Sequence, residues 1–102
     1  MHHCLNVVTG EQGYPAAILL RAAESPDEAV SARGPGRLTR AFRVDLSSNR
    51  ASFTGPELWL EAGDPPPRRR IRRTPRIGVH YAGEWAARPY RFLIEGDPAV
   101  SR

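Results

Sequence analysis

Arginines crowded into one short segment are the residues of this chain with the clearest capacity for chemistry. The segment from Pro65 to Gly83 contains six arginines and no acidic residue. Nine arginines remain elsewhere, against all eleven acidic residues, so the rest of the chain carries a formal charge of −2. A focused positive patch on a mildly acidic body indicates a phosphate-bearing partner. The planar guanidinium suits phosphate because it can donate two hydrogen bonds at once. The six are Arg68, Arg69, Arg70, Arg72, Arg73 and Arg76.

Two further groups of residues could bind a ligand, and the sequence favours a structural role for both. His2, His3 and Cys4 are potential metal ligands, but consecutive residues on a strand point to opposite faces and cannot easily close one tetrahedral site. We therefore expect no metal, and nothing in the chain indicates a cofactor. Aromatic residues could stack on bases, but their strand and turn positions favour the core. We predict core positions for Trp59, Trp85, Tyr90 and Phe92.

Length and composition fit one small domain. A chain of 102 residues that is 40% hydrophobic can bury a modest core, while ten prolines and nine glycines divide it into short elements. The single cysteine, Cys4, excludes an intrachain disulfide and fits a reducing compartment. The longest apolar run, Ala16–Leu20, is too short to span a bilayer, and no signal peptide is recognisable. We therefore expect a cytoplasmic protein that does not bind membranes.

The first half of the chain predicts a hairpin followed by a short helix. Alternation and two adjacent valines favour a strand over His3–Val8, and the glycines and proline of Thr9–Pro15 favour a turn. Ala16–Ala23 is apolar enough for the second strand of the hairpin, although its alanines and leucines would also tolerate a helix. A helix is predicted over Gly36–Phe42, where Pro35 suits a helix start.

The second half predicts short strands separated by breakers. Proline-rich sequence cannot pair in a sheet and indicates a stiff linker, which the arginine run prolongs as a solvated basic segment. The fold class is therefore mixed α/β (α+β), a single small domain with a mostly antiparallel, curved sheet and short helices. The predicted elements are a strand over Glu57–Glu61, the Pro/Arg-rich linker over 64–73, a strand over Ile71–His80 broken near Pro75, a turn or short helical piece over Gly83–Ala87, and a strand over Arg91–Glu95.

Three blocks of the sequence resemble the alkyladenine (3-methyladenine) DNA glycosylase family. Met1–Glu24 is similar to that family's Met–aromatic–aromatic–Cys strand and its LLRA strand, and Gly34–Leu46 is similar to its GP-x-[KR]-L helix. Glu57–Gly63 and Arg76–Ser101 keep the family's RIGV, AGEWA, RP and RF in order. The resemblance covers about two-thirds of the chain and implies the C-terminal half of the glycosylase fold, with residues 1–102 forming a partial glycosylase domain.

The resemblance implies base excision from double-stranded DNA that contains damaged purines. The family flips alkylated or deaminated purine nucleotides into a pocket, where a bound water attacks the sugar carbon of the N-glycosidic bond. In this chain Arg21 and the backbone carbonyl of Ile77 match the groups that hold this water. Asn6 matches a residue beside the flipped purine, where it crowds the 2-amino group of guanine. Arg37 and the Gly78 backbone match phosphate contacts, and Met1 and His2 match positions at the minor groove.

The sequence also departs from the family at two functional positions. The family's catalytic glutamate lies in an ETEAY-like segment upstream of Met1, and its intercalating tyrosine lies two residues before Met1. None of the eleven acidic residues matches that glutamate. We therefore expect a C-terminal fragment that is inactive alone, monomeric, nucleoid-associated when bound to DNA, and able to act with a separate N-terminal half. The alternatives are a small non-enzymatic nucleic-acid-binding protein that uses the arginine patch, or a remnant that does not fold stably.

Overall fold

The computed structural model describes residues 3–56 and 58–100, which fall into two compact units. The first unit comprises Met1–Ala62 with Ser101–Arg102, and the second comprises Gly63–Val100. Each contains a two-stranded antiparallel sheet.

The first unit begins with a hairpin of β1 (Leu5–Thr9) and β2 (Ala16–Leu20). β-Branched residues favour the extended conformation of β1. The connecting turn contains Gly10 and Gly13, whose φ angles of 80° and 88° lie in the left-handed region that favours glycine. The predicted hairpin is confirmed, with β2 ending three residues earlier than expected.

The α-helix of the first unit, α1, runs from Pro35 to Ala41 and confirms the predicted helix to within one residue at each end. Proline at its start has no backbone N–H to leave unsatisfied. Its C-terminus is closed by the Val44 amide, which donates to the Thr39 carbonyl at 2.8 Å, and by the Arg43 amide, which donates to the Arg40 carbonyl at 3.2 Å. This is the Schellman arrangement, with Arg43 in the left-handed position that glycine usually occupies (φ 57°).

The strand predicted over Glu57–Glu61 does not form in its described part, residues 58–61. Here Trp59 makes an isolated bridge to Thr54, and the Leu60 amide donates to the Phe53 carbonyl at 3.0 Å. The chain doubles back locally around Pro56, so these residues pair with their own neighbours instead of joining a sheet. Alternating polarity indicated the extended backbone but could not supply a partner strand.

The second unit contains β3 (Ile71–Thr74) and β4 (Arg91–Ile94), which pair antiparallel with Ile71 opposite Ile94 and Arg73 opposite Phe92. A 3₁₀ turn over Arg68–Arg70 precedes β3. Residues 64–67 form no helix or strand, whereas Arg68–Arg70 lie in this turn and Arg72 and Arg73 lie in β3. The linker predicted over 64–73 stays a prediction.

The strand predicted over Ile71–His80 forms from Ile71 to Thr74, which confirms the predicted break near Pro75, and the part expected after the break does not form. Pro75 has no backbone N–H for a ladder, and Gly78 adopts a positive φ of 73° that reverses the chain. A 3₁₀ segment over His80–Ala87 follows, kinked at Gly83, and includes the helical piece predicted over Gly83–Ala87. The final predicted strand, Arg91–Glu95, is confirmed as β4.

The buried core is small and lies in the first unit, where Ala32 and Leu38 are the buried apolar residues among those described. The prediction of a small mixed α/β fold with antiparallel pairing is confirmed, although two separate sheets replace the single curved one. The likeness to the C-terminal half of a glycosylase fold stays a prediction. Across residues 3–56 and 58–100, no helix has the length and apolar character needed to cross a membrane.

Candidate functional site

Arg21 follows β2 directly and is half-buried. Its Nε atom is shielded from solvent. The next residue, Ala22, bridges to Arg33, and the Ala23 amide donates to the Ala32 carbonyl at 3.2 Å. The backbone on both sides of Arg21 is therefore paired with neighbouring segments, which fixes the base of its side chain. A side chain fixed at its base can help to position a small polar molecule.

Asn6 lies in β1 opposite Leu19 of β2. Leu19 in turn precedes Arg21 by two residues in the chain. The ladder ends at the pair Leu5–Leu20, away from the turn, so Asn6 and Arg21 both belong to the open end of the hairpin. The Asn6 side chain is exposed. The exposed amide offers a donor and an acceptor for a ligand edge at this end.

Helix α1 packs against β2 and is tied to the same end of the hairpin. Thr39 Oγ1 donates to the His3 carbonyl at 3.0 Å, immediately before β1. Arg37 lies in the first turn of this helix and is exposed. Asn6 and Arg21 therefore share the open end of the hairpin, and Arg37 lies on the helix that Thr39 ties to this end.

Ile77 and Gly78 lie in the second unit, in the segment between β3 and the 3₁₀ segment His80–Ala87. Ile77 is half-buried, and Gly78 is exposed with a positive φ. The space around an added Cβ at Gly78 is open, so its backbone is approachable. The roles predicted for these two backbone positions stay predictions, as do those of Asn6, Arg21 and Arg37.

Arg76 anchors this segment, a role that sequence reasoning missed. Its Nη2 donates to the Trp85 carbonyl at 3.3 Å, and its guanidinium carbon lies 5.6 Å from the centre of the Tyr90 ring. Its Nε is buried. Arg76 was assigned with its neighbours to phosphate binding. Two features of the sequence could have indicated this role: Arg76 stands directly before Ile77, and the segment that follows is rich in aromatic residues.

The aromatic residues predicted as core are instead exposed, from 49% for Trp85 and Tyr90 to 58% for Phe92. Trp59 is exposed as well. The rings of Trp85 and Tyr90 stack at 6.4 Å, while Arg88 lies 5.0 Å over Trp85 and Arg73 lies 5.0 Å over Phe92. The expectation of core positions is wrong because apolar character shows which residues favour burial but not whether the chain supplies the covering surface.

The arginine run is partly engaged in the structure of the second unit. Arg72 forms an exposed ion pair with Glu95 at 3.5 Å, and Arg70 Nη2 donates to the Glu95 carbonyl at 3.1 Å. The second unit nevertheless holds eight arginines and four acidic residues, whereas the first unit holds seven of each. The whole formal charge of +4 therefore lies in the second unit.

The positions predicted to contact the minor groove, Met1 and His2, lie outside the described residues. His3 and Cys4 are exposed, and no group of three potential metal ligands exists within residues 3–56 and 58–100.

A surface depression beside the end of α1 contains none of the predicted site residues. It is lined by Pro26, Asp27, Val30 and Arg40–Arg43.

Asp45 is the described acidic residue with a clear electrostatic perturbation. Its Oδ1 accepts hydrogen bonds from Ser47 Oγ at 2.6 Å and from the Ser47 amide at 2.8 Å, which caps the 3₁₀ turn Leu46–Ser48. These two bonds stabilise the carboxylate and lower the pKa of Asp45 from its ordinary value. The local cap accounts for this shift, so Asp45 is not a candidate general base.

Comparison with known proteins identifies relatives along nearly the whole chain. The methylpurine-DNA glycosylase family model matches residues 1–98. A protein of Anaeromyxobacter dehalogenans (strain 2CP-1), named "Putative 3-methyladenine DNA glycosylase", is 49% identical over 98% of this chain and 48% of its own length. Proteins of the same name from Myxococcus xanthus and Methanocella arvoryzae are 43% and 41% identical over all of this chain, and the matches cover 54% and 58% of their lengths.

Two conclusions follow from these matches. The chain spans about half the length of the curated relatives it matches. The resemblance inferred from the three sequence blocks is confirmed over nearly the full chain. The chain therefore belongs to the methylpurine-DNA glycosylase family.

Proposed function

We propose that this chain is one part of a DNA repair glycosylase that excises alkylated or deaminated purines by hydrolysing the N-glycosidic bond. The observation that carries this proposal is the family match over residues 1–98. Enzymes that act on a base within a duplex must first extrude the nucleotide into a pocket. The open end of the hairpin, where Asn6 and Arg21 lie, is our candidate for this chain's contribution to that pocket.

The proposed chemistry uses one bound water molecule. The Arg21 guanidinium donates to one lone pair of the water, and the acceptor role of the Ile77 carbonyl stays a prediction of the family resemblance. One O–H of the water faces a carboxylate, which takes the proton as the oxygen attacks. The remaining lone pair is then directed at the anomeric carbon of the sugar, and the purine departs with the electrons of the N-glycosidic bond. Holding the water in line with that bond raises the rate of hydrolysis by fixing the orientation of the attacking oxygen.

The carboxylate in this scheme comes from polypeptide outside this chain. None of the eleven acidic residues matches the family's catalytic glutamate, and Glu24, close to Arg21 in sequence, is exposed. Loss of a general base costs about 10²- to 10⁴-fold in rate. The isolated chain is therefore proposed to release little or no base.

Selectivity and DNA contacts are assigned to the remaining site residues. Asn6 crowds the 2-amino group that distinguishes guanine, so undamaged guanine is excluded from the pocket. Arg37 and the Gly78 amide contact phosphates, and Met1 and His2 contact the minor groove. The exposure of Arg37 and the open, positive-φ backbone of Gly78 support the two phosphate contacts.

The test joins this chain to the additional polypeptide that a longer relative contains. The part of the Anaeromyxobacter dehalogenans relative that lies outside its match to this chain, called here the unmatched half, is fused before residue 1 to give the joined protein. Duplex DNA with a single hypoxanthine is incubated with the joined protein and then cleaved at abasic sites. We expect strand scission with the joined protein and none with the isolated chain. Base release by the isolated chain at an enzyme-like rate, or no release by a folded joined protein, would contradict the proposal.

A second candidate function is binding of nucleic acid without catalysis. It is favoured by the second unit, which carries all of the net charge and exposes Trp85, Tyr90 and Phe92 beside arginines. Aromatic rings interleaved with arginines bind single strands by stacking and phosphate contact. Strong single-strand binding that Trp85→Ala and Tyr90→Ala weaken, together with a joined protein that never releases base, would favour this function.

A further inference from the structure

The hairpin of the first unit exposes apolar side chains on both faces. Residues opposite one another in the register share a face, so Val8, Ala17 and Leu19 lie together with Asn6 at one end. All four are exposed, Val8 at 76%. On the other face Ile18 is 56% exposed. A hairpin whose faces are only partly covered is marginally stable in water and calls for a covering layer. We call the surface of Val8, Ala17 and Leu19 the hairpin face.

The hairpin also has unpaired edges. Within residues 3–56 and 58–100, β1 and β2 pair only with each other, so the outer backbone of each strand is available. Free strand edges are templates for pairing with another polypeptide. The hairpin can therefore accept both side-chain packing and added strands.

The chemistry of the hairpin face excludes nucleic acid as its occupant. The two strands read LNVVT and AAILL and contain no charged residue. Affinity for the phosphate backbone comes mainly from cations, and the net positive charge of this chain lies in the other unit. An uncharged face of valine, alanine and leucine fits an apolar polypeptide surface.

The accessible surface of the chain is larger than expected for two compact units of the same lengths. The accessible surface is 8670 Å², whereas two compact units of these lengths would together expose about 6,900 Å² even without touching. Ala32 and Leu38 alone form the buried apolar core of the described residues. Relatives that match the chain at 49% and 43% identity are about twice as long. Additional polypeptide is thus a regular part of proteins that contain these segments.

We infer that the hairpin face is the docking surface for a separate polypeptide equivalent to the unmatched half. This inference rests on the proposed function and names the surface that binds the polypeptide equivalent to the unmatched half. Docking there covers Val8 and Leu19 and leaves Asn6 and Arg21 at the margin. A carboxylate of the docked polypeptide then meets Arg21 at the open end of the hairpin. A second copy of this chain would cover the same face without supplying that carboxylate, so it is the weaker occupant.

The experiment co-expresses this chain with a tagged unmatched half of the Anaeromyxobacter dehalogenans relative. We expect co-purification, a one-to-one mass by light scattering, and slower amide exchange in Leu5–Thr9 and Ala16–Leu20. Val8→Glu and Leu19→Glu place a charge in the interface and should weaken the complex at least tenfold. Leu46→Glu is the matched control, because Leu46 is equally apolar and 74% exposed but lies outside the hairpin. It should leave the affinity unchanged.

The possible outcomes separate the inference from the proposed function. Absence of a complex, a complex that Val8→Glu and Leu19→Glu leave intact, or a homodimer of this chain that these variants dissociate would each overturn the inference. A complex that behaves as expected but releases no hypoxanthine leaves the docking surface in place and contradicts the proposed function. Val8 is exposed, so its substitution removes little packing. Circular dichroism of each variant checks that the hairpin still forms.

Discussion

Thr39 donates a hydrogen bond from Oγ1 to the backbone carbonyl of His3 at 3.0 Å and so joins α1 to the chain just before β1. The same hydroxyl lies 3.0 Å from the Gly36 carbonyl, and its single proton is shared between the two acceptors. Thr39 is 2% exposed, so water does not compete for these bonds. The contact fixes the helix that carries Arg37 beside the hairpin end that carries Asn6 and Arg21.

Thr39→Val should therefore destabilise the first unit. Valine fills the same space but leaves the His3 carbonyl without its donor, at a cost of about 1 kcal/mol. We expect a lower midpoint in urea unfolding followed by circular dichroism. Arg37→Ala on the exposed face of the same helix is the control and should change the stability by less than about 0.5 kcal/mol. Equal midpoints for Thr39→Val and the parent would show that the bond contributes nothing.

Arg43→Gly should stabilise the end of α1. Arg43 sits at a φ of 57°, where a Cβ is strained by about 1–2 kcal/mol. Part of the gain is offset because glycine loses more backbone entropy on folding. We expect a net gain of up to about 1 kcal/mol in unfolding free energy. Arg40→Gly removes the same charge from a helical position and should instead lose about 1 kcal/mol. Destabilisation by both substitutions would contradict the Schellman assignment.

Local residue chemistry predicted the hairpin and α1 because the signals there are complete within a few residues. Two valines, Gly10, Gly13 and Pro35 each dictate a backbone conformation without help from distant parts of the chain. The strand expected over Ile71–His80 ends at its predicted break near Pro75, but the part expected after the break did not form, because alternation was given more weight than Gly78. Periodicity marks extended backbone, but a missing N–H and a positive φ end a ladder regardless of pattern.

The candidate site was only partly predictable for a different reason. Resemblance supplied Asn6, Arg21 and Arg37; the fold places the first two at the open end of the hairpin and the third on α1. The resemblance could not predict the contacts of Arg76, because these contacts depend on the turn that brings Trp85 and Tyr90 to the Arg76 guanidinium. The aromatic residues were expected in the core because aromatic rings at strand and turn positions are more often buried than exposed. That preference for burial is met only where a covering surface exists, and in these two small units it is not.

The cap at Asp45 should make local stability depend on pH in the acid range. Hydrogen bonds from Ser47 lower the pKa of Asp45 in the folded chain. A lowered folded pKa gives a stabilising contribution that is present above the ordinary value of 3.8 and is lost as the pH falls through the folded pKa. Carboxyl chemical shifts in an NMR titration should report this lowered pKa. In Ser47→Ala the pKa should rise toward its ordinary value, and an unchanged titration would contradict the cap as its cause.

Binding of undamaged duplex DNA should be weak and strongly dependent on salt. If about four phosphates are neutralised, a plot of log affinity against log salt should have a slope of about −3.6. Arg68 and Arg69 are exposed cations of the run. Replacing either with alanine should reduce the slope by about one. Arg50→Ala in the electrically neutral first unit is the control and should leave the slope unchanged. Affinity that hardly responds to salt would contradict phosphate contact as the basis of binding.

Arg21→Ala in the joined protein should slow excision of hypoxanthine by about 10²-fold, because a water that is no longer held in line must find that orientation by chance. The Kd for lesion-containing duplex should change little, since the lost contact acts on the transition state. Arg21→Lys should restore the rate only in part, because an ammonium lacks the fixed fork of the guanidinium. Single-turnover kinetics give the rate, and fluorescence anisotropy gives the Kd. Arg21 is half-buried, so a thermal melt of each variant must show that the fold persists. An Arg21→Ala variant that melts like the parent and excises at the parental rate would remove Arg21 from the chemistry and leave the proposed water without its donor.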